Sequence, residues 1–281
     1  VKIAFWSNAY EKTGTFLNFA AVSIAGVMWY PYTITVFENY LSKCNLGKAF
    51  FGGHNLPDGR GGTGSYYEGR GIEGLLRRIY RGDNDPELLE SYWQEVIPNH
   101  LYYIPQRGVI NSELFDYELH YNLNYLINII EENTDLCYVN LNHKNHLSSN
   151  AFLQEADLIV VNLYQNPDYL NDFFKNYSSF KSKAIYIVGN YTPKSMMTCK
   201  KISKLYDISL EDISPIPYNV DFHIACQQGS AKEFINRNYF CEKDNKNYLF
   251  IYGIRRAAFI ISKKIKQANL IDKKELKPCG I

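Results

Sequence analysis

The chain has no excess charge of either sign: 30 Lys and Arg stand against 29 Asp and Glu, a formal net charge of +1. That balance gives no bulk attraction to nucleic acid or to an acidic substrate, and no nucleic-acid partner is expected. The 6 cysteines, Cys44, Cys137, Cys199, Cys226, Cys241 and Cys279, never fall into Cys-x-x-Cys spacing. In a chain of 281 residues such scattered thiols read as a reduced, cytosolic protein rather than a disulfide framework. No signal peptide is read, because Val1-Lys2 leads straight into strand-like residues. The most apolar stretch, Phe16 to Tyr32, is broken by Asn18 and Ser23 and contains Pro31. It falls short of the roughly 20 apolar residues a spanning helix needs, so a buried helix is expected. The histidines show no ligand pattern: His143-x-x-His146 has no carboxylate or cysteine at a useful spacing, and no metal site is expected. A Ser/His/Asp hydrolase is excluded in turn, for no Gly-x-Ser-x-Gly elbow follows a strand.

What is present is alternation. Short β-branched or aromatic runs recur at Lys2–Trp6, Thr33–Phe37, Leu101–Ile104, Leu136–Asn140, Leu158–Leu163, Ala184–Val188 and Ile213–Ile216. Several are apolar throughout, as strands buried on both faces are. Helices are expected at Thr15–Met28, Gly71–Tyr80, Pro86–Val96, Glu113–Glu132, Ser149–Glu155, Pro167–Tyr177, Ser195–Leu205, Phe222–Gln227, Ala231–Asn238 and Tyr248–Ala268. The pattern predicts an α/β fold: a doubly wound, mostly parallel sheet with helices on both faces, in a single domain over 1–281. The glycine-rich segment Gly52 to Gly74, with Gly59–Ser65 resembling a phosphate loop, has no strand before it and is expected to be a mobile surface loop.

Strand Lys2–Trp6, polar loop Ser7–Gly14 and helix from Thr15 stand in the order of a Walker A motif, whose backbone N–H groups cradle phosphates. Further landmarks follow in order: Phe37-Glu38-Asn39, Leu136 to Asn142 at the Walker B place, Glu155-Ala156-Asp157 before an apolar strand, Val188-Gly189-Asn190, and Ile216-Pro217-Tyr218-Asn219 with Ala225 and Gly229 downstream. On these residues nearly the whole chain resembles the MinD/ParA branch of P-loop ATPases. The likeness is greatest to atypical, TadZ-like members associated with pilus assembly and related secretion machines. The resemblance implies the P-loop NTPase fold, a nucleotide site built from Lys12, Thr13, Gly14, Thr15 and Phe16, and an adenine pocket at Asn190, Pro217, Tyr218 and Asn219. It also implies a homodimer formed across the P-loop face, an assembly or secretion ATPase as partner, and weak peripheral binding at the inner face of the membrane through the basic, amphipathic last helix.

The departures set the activity. Where the motif needs lysine and a magnesium-binding hydroxyl there are Thr15 and Phe16, and the Walker B aspartate is Asn140. Phosphoryl transfer rests on positioning and charge neutralisation, and these replacements remove the charges. Tyr10 takes the place of the branch's second lysine, with Lys12 two residues on, and Glu38 or Asn39 takes that of the second-strand aspartate. The sequence therefore predicts a pseudo-ATPase that acts as a positioning or scaffold factor, with no catalytic residues, weak ATP or ADP binding and no Mg²⁺. The alternative is a slow but genuine ATPase using a non-standard P-loop, with Lys12 and Glu38 in new roles.

Overall fold

The computed structural model describes residues 1–40, 45–52, 71–83, 85, 87–106, 111–143, 146–268 and 270. Its centre is an 8-stranded sheet of order β3-β4-β2-β5-β1-β6-β7-β8. The strands are β1 (Lys2–Trp6), β2 (Ile34–Glu38), β3 (Gln94–Ile97), β4 (Leu101–Tyr103), β5 (Leu136–Asn140), β6 (Leu158–Leu163), β7 (Ala184–Gly189) and β8 (Ile213–Ile216). All neighbours run parallel except β3 and β4. β1 is interior, between β5 and β6, as its uninterrupted apolar sequence demands. Ile3 and Phe5 face one core, Ala4 and Trp6 the other, and all four are buried.

Helices cover both faces. One side holds α2 (Thr15–Trp29), α3 (Leu46–Phe51), α9 (Val220–Gln228), α10 (Ala231–Asn238) and α11 (Tyr248–Gln267). The other holds α4 (Ile72–Tyr80), α5 (Ser112–Asn133), α6 (Leu147–Glu155), α7 (Pro167–Asn176) and α8 (Cys199–Tyr206). A short helical turn, α1 (Tyr10–Thr13), lies inside the loop after β1. Ser23, which interrupts the apolar run of α2, is buried because its hydroxyl donates back to the Phe19 carbonyl at 2.8 Å.

One expectation fails. No helix spans Pro86–Val96: among the described residues there is a 3-10 turn at Leu89–Ser91 and then β3, antiparallel to β4. Trp93 stacks on Tyr102 across this hairpin, ring centres 4.1 Å apart, and Asn99 closes the turn with φ 60°. That cross-strand contact and the β-branched pair Val96-Ile97 favour strand over helix. Gly52 ends α3, and Gly74 is buried within α4, the helix expected from Gly71; Gly59–Ser65, expected to be a mobile surface loop, lies outside the described residues. A second difference is one of boundary. α6 begins at Leu147, ahead of the expected Ser149, because the Asp116 carboxylate from α5 accepts the Leu147 and Ser148 N–H groups at 2.8 and 3.0 Å. A capping group that comes from 31 residues away is invisible to local pattern.

α11 packs its apolar face, including Ile254, Ala257, Ile261 and Ile265, into the core. Lys263 and Lys264 on its outer side pair with Glu211 and Asp212 at 2.7 and 2.8 Å. Among the described residues no helix is long and apolar enough to cross a membrane.

Candidate functional site: the loop between the central strand and its helix

The loop after β1 sits where the carboxyl ends of β1, β2, β5, β6 and β7 converge, the place where open α/β sheets bind ligands. Its backbone is compact. α1 makes one helical turn, in which the Lys12 N–H donates to the Ala9 carbonyl at 2.9 Å. Gly14 then takes the left-handed conformation, φ 63°, and passes the chain into α2. α2 has neither a side-chain cap nor an acidic residue in its first turn. Its leading N–H groups and positive dipole end are therefore left to a ligand or to water.

Side chains that sequence reasoning passed over hold this loop. Ser7 donates its hydroxyl to the Asn162 carbonyl at 2.7 Å and accepts the Ala9 N–H at 3.0 Å. Buried Asn18 donates from Nδ2 to both the Thr13 carbonyl and Asn162 Oδ1, at 3.1 and 2.9 Å. The signal for Asn18 was present as an amide inside an otherwise apolar helix, one turn after the loop; buried amides need partners. Gly189 at the end of β7 lies so close that a Cβ there would sit 1.9 Å from the Thr13 carbonyl oxygen.

The loop residues singled out from sequence are all here, though few face outward. The Thr13 and Thr15 hydroxyls bond one another at 2.7 Å and are buried. Phe16 is half-buried against the core on the α2 side. Lys12 is exposed, and its ammonium lies 5.8 and 5.4 Å from the ring centres of Tyr164 and Tyr169, within cation–π range. Those rings stand edge to face beside the start of α7.

Beneath the loop, Glu38 and Asn140 stand opposite one another at the ends of β2 and β5, both fully buried. Glu38 Oε2 accepts the Leu46 N–H at 3.0 Å, while Asn140 Nδ2 donates to the Tyr40 hydroxyl at 2.7 Å. Burial pushes the Glu38 carboxyl up to about 8, against smaller opposing effects of its bonds to Leu46 and Asn140. Asn39 is committed elsewhere, donating to Ser148 and Ser149 on α6 and accepting the Asn142 N–H. Glu38, not Asn39, is thus the residue facing the Walker B position.

Asn190 and the Pro217–Asn219 turn come together, because the Tyr191 N–H donates to the Ile216 carbonyl at 3.0 Å. Tyr218 is half-exposed. Asn219 is spent on structure: Oδ1 caps α9 through the Phe222 N–H at 2.7 Å and Nδ2 donates to Asn247. Asn190 occupies the left-handed region, φ 47°, and its Nδ2 donates to the Lys12 carbonyl at 2.8 Å. A separate cleft of about 590 Å³ between α4 and α5, lined by Leu76, Arg77, Tyr80, Tyr117 and Tyr121, is not part of this site. Among the described residues no three His, Cys, Asp or Glu side chains are grouped to hold a metal. His146 instead lies 3.5 Å from Asp116.

A central parallel strand, a loop turning into a helix N-terminus and polar strand ends beneath it define a P-loop NTPase-type fold. Solved structures of MinD and ParA family proteins share this fold. A ParA family ATPase from Chlorobium tepidum TLS superposes with a TM-score of 0.65 at 17% identity, over 92% of this chain and 99% of its own. The septum site-determining protein MinD from Pyrococcus horikoshii OT3, solved with Mg-ADP, gives 0.65 at 14% identity over 97% and 99%. MinD in the MinC:MinD complex of Aquifex aeolicus gives 0.64 at 12% identity over 94% and 96%. No family model and no curated protein matches the sequence. The likeness lies in the fold, as expected from the landmarks, and not in close sequence.

Proposed function

We propose that this chain is a single-domain pseudo-ATPase of the MinD/ParA type, a positioning or scaffold protein that takes ATP or ADP weakly and hydrolyses neither at a useful rate. The observation that carries the reading is the chemistry at the loop. Thr15 and Phe16 stand at the lysine and metal-hydroxyl places, and the Thr15 hydroxyl is turned onto Thr13. Magnesium is a poor fit for the residues present. A hard cation wants carboxylate oxygens, whereas Asn140 is an uncharged amide and Glu38 holds its proton up to about 8. Nucleotide affinity then comes from the base, against Asn190, Pro217 and Tyr218, and from the uncapped start of α2, with Lys12, Thr13, Gly14, Thr15 and Phe16 around the phosphates.

In this reading the protein is cytoplasmic and dimerises across the loop face. It recruits an assembly or secretion ATPase, in the manner of TadZ-like pilus-assembly factors, with α11 giving at most weak peripheral contact with the membrane. The Pyrococcus relative was solved with Mg-ADP and the Aquifex relative with MinC, which supports nucleotide and protein partners as classes. The reading is tested by titration calorimetry of ADP and ATP with and without Mg²⁺. It requires similar, weak binding of both with little effect of the metal. Strong, magnesium-dependent preference for ATP overturns it, because only lysine and metal neutralise the added charge.

A further inference from the structure

We propose that the cleft between α4 and α5 is a docking site for an acidic peptide segment of a partner protein, which seats an aromatic side chain on three exposed tyrosine rings and a carboxylate on Arg81. The inference is independent of the nucleotide reading, since none of the residues lining the cleft belongs to the loop after β1.

α5 carries two apolar stripes where a surface helix needs one. Phe115, Leu119, Leu123, Leu126 and Ile130 point inward and are buried. Leu114, Tyr117, Tyr121 and Tyr125 repeat at helical spacing on the outward side and are 44, 57, 66 and 38% exposed. Tyr80 of α4, 70% exposed, stands beside them. Its ring centre lies 6.1 Å from that of Tyr121, which stacks on Tyr117 at 6.5 Å with 21° between the planes. Single exposed aromatics are ordinary, whereas adjoining ones mark an interaction surface.

The surface is concave and firm. The cleft holds about 590 Å³, a size that takes a small ligand or a few peptide side chains. Its floor includes Leu76 and Asn122, both buried, with Asn122 Nδ2 donating to the Glu118 carbonyl at 2.8 Å. Tyr125 ties α5 to the turn after α4, its hydroxyl donating to the Asp83 carbonyl at 3.4 Å. Walls carried on two packed helices are set before a ligand arrives, which lowers the entropic cost of binding.

Charge selects the occupant. Arg81, exposed at the end of α4, forms no ion pair among the described residues. The nearest acid in sequence, Asp83, is taken: its Oδ2 accepts from Arg78 Nε at 2.6 Å and its Oδ1 accepts the Asp85 N–H at 3.1 Å. Arg81 is thus left to an outside carboxylate, which its planar fork matches. Tyrosine and arginine are also the residues that most often carry the binding energy of protein interfaces. Nucleic acid fits less well, because a phosphate backbone needs a row of cations and the acid Glu118 stands in the same wall as Arg77 and Arg81.

Fluorescence anisotropy on the full chain tests this, with a labelled random copolymer of glutamate and tyrosine as the probe. The wild type should bind it, and Tyr121→Ala and Arg81→Glu should each weaken binding by about tenfold or more, the loss expected at an interface hot spot. Both side chains lie at the surface, so the denaturant midpoint should stay at the wild-type value. Lys200→Glu, a charge reversal on α8 outside the cleft, should leave binding unchanged, and polyglutamate should bind about tenfold more weakly than the copolymer. Absence of copolymer binding overturns the proposal. So does equal binding of polyglutamate, or a Lys200→Glu effect as large as that of Arg81→Glu, since either leaves only bulk charge. A single-stranded oligothymidylate that binds more tightly than the copolymer overturns it too, and makes the cleft a stacking site for bases.

Discussion

Glu38 and Asn140 face each other across β2 and β5, each with one buried oxygen that has no hydrogen-bond partner among the described residues, Glu38 Oε1 and Asn140 Oδ1. A buried acceptor without a partner is costly. A protonated Glu38 avoids a bare charge in this buried place, in keeping with a carboxyl that burial holds up to about 8.

Stability should therefore depend on pH through Glu38. Its folded value lies above the ordinary 4.5, at about 8, so between those limits the folded state binds more protons than the unfolded state. The contribution is fully present below about pH 4.5 and is lost as pH rises towards 8, at up to about 1.4 kcal/mol per pH unit. Above that window both states are ionised and the dependence ends. Glu38→Gln keeps an acceptor for Leu46 without titrating. Urea unfolding across the window should show Glu38→Gln gaining on the wild type as pH rises. A constant difference between the two would mean that Glu38 is already ionised.

Gly189→Ala should damage the junction between loop and β7. The new Cβ would stand 1.9 Å from the Thr13 carbonyl oxygen, a backbone atom, so strand and loop must part. A loss of about 3 kcal/mol is expected, at the upper end for overpacking, read as a lowered denaturant midpoint. A change below about 0.5 kcal/mol, the range of neutral surface substitutions, would contradict the close approach.

Trp93→Ala should loosen the β3–β4 edge and leave the loop site alone. The Trp93–Tyr102 stack, 4.1 Å between centres, is expected to give about 1 kcal/mol beyond simple burial. Exchange should rise in residues 94–103 and stay constant in 10–15. Equal effects in both segments would mean the edge hairpin and the loop open together.

These sites also mark how far the sequence could be read. β1, β2, β5, β6 and β7 were legible because interior parallel strands are apolar on both faces, whatever their neighbours, and β4 and the edge strand β8 were read from their β-branched and aromatic runs. β3 was not, since Gln94-Glu95-Val96-Ile97 acquires its strand character from Trp93 meeting Tyr102. The place of the loop followed from strand–loop–helix order and from the missing lysine. Its closed shape did not, because it depends on Asn18, Gly189 and Asn190, the last of them 178 residues from its Lys12 partner. Asn190 was singled out as an adenine residue; its bond to the loop belongs to tertiary structure alone.

Thr15→Lys should shift nucleotide preference towards ATP without restoring turnover. It returns a cation to the start of α2, where the wild type has none, but Phe16 and Asn140 still offer no charge to a metal. Calorimetry should find tighter ATP than ADP for this variant and near equality for the wild type, each unmoved by Mg²⁺. Tightening of the variant by Mg²⁺ would mean that the site holds metal after all.

Steady-state phosphate release from ATP with Mg²⁺ tests the central claim most directly. The wild-type chain should release phosphate no faster than a control in which Thr13, Gly14 and Thr15 are replaced by bulky residues. A magnesium-dependent turnover of roughly one per second, within the ordinary enzyme range, abolished by Lys12→Ala, would contradict the account and make this a working ATPase with an unusual loop.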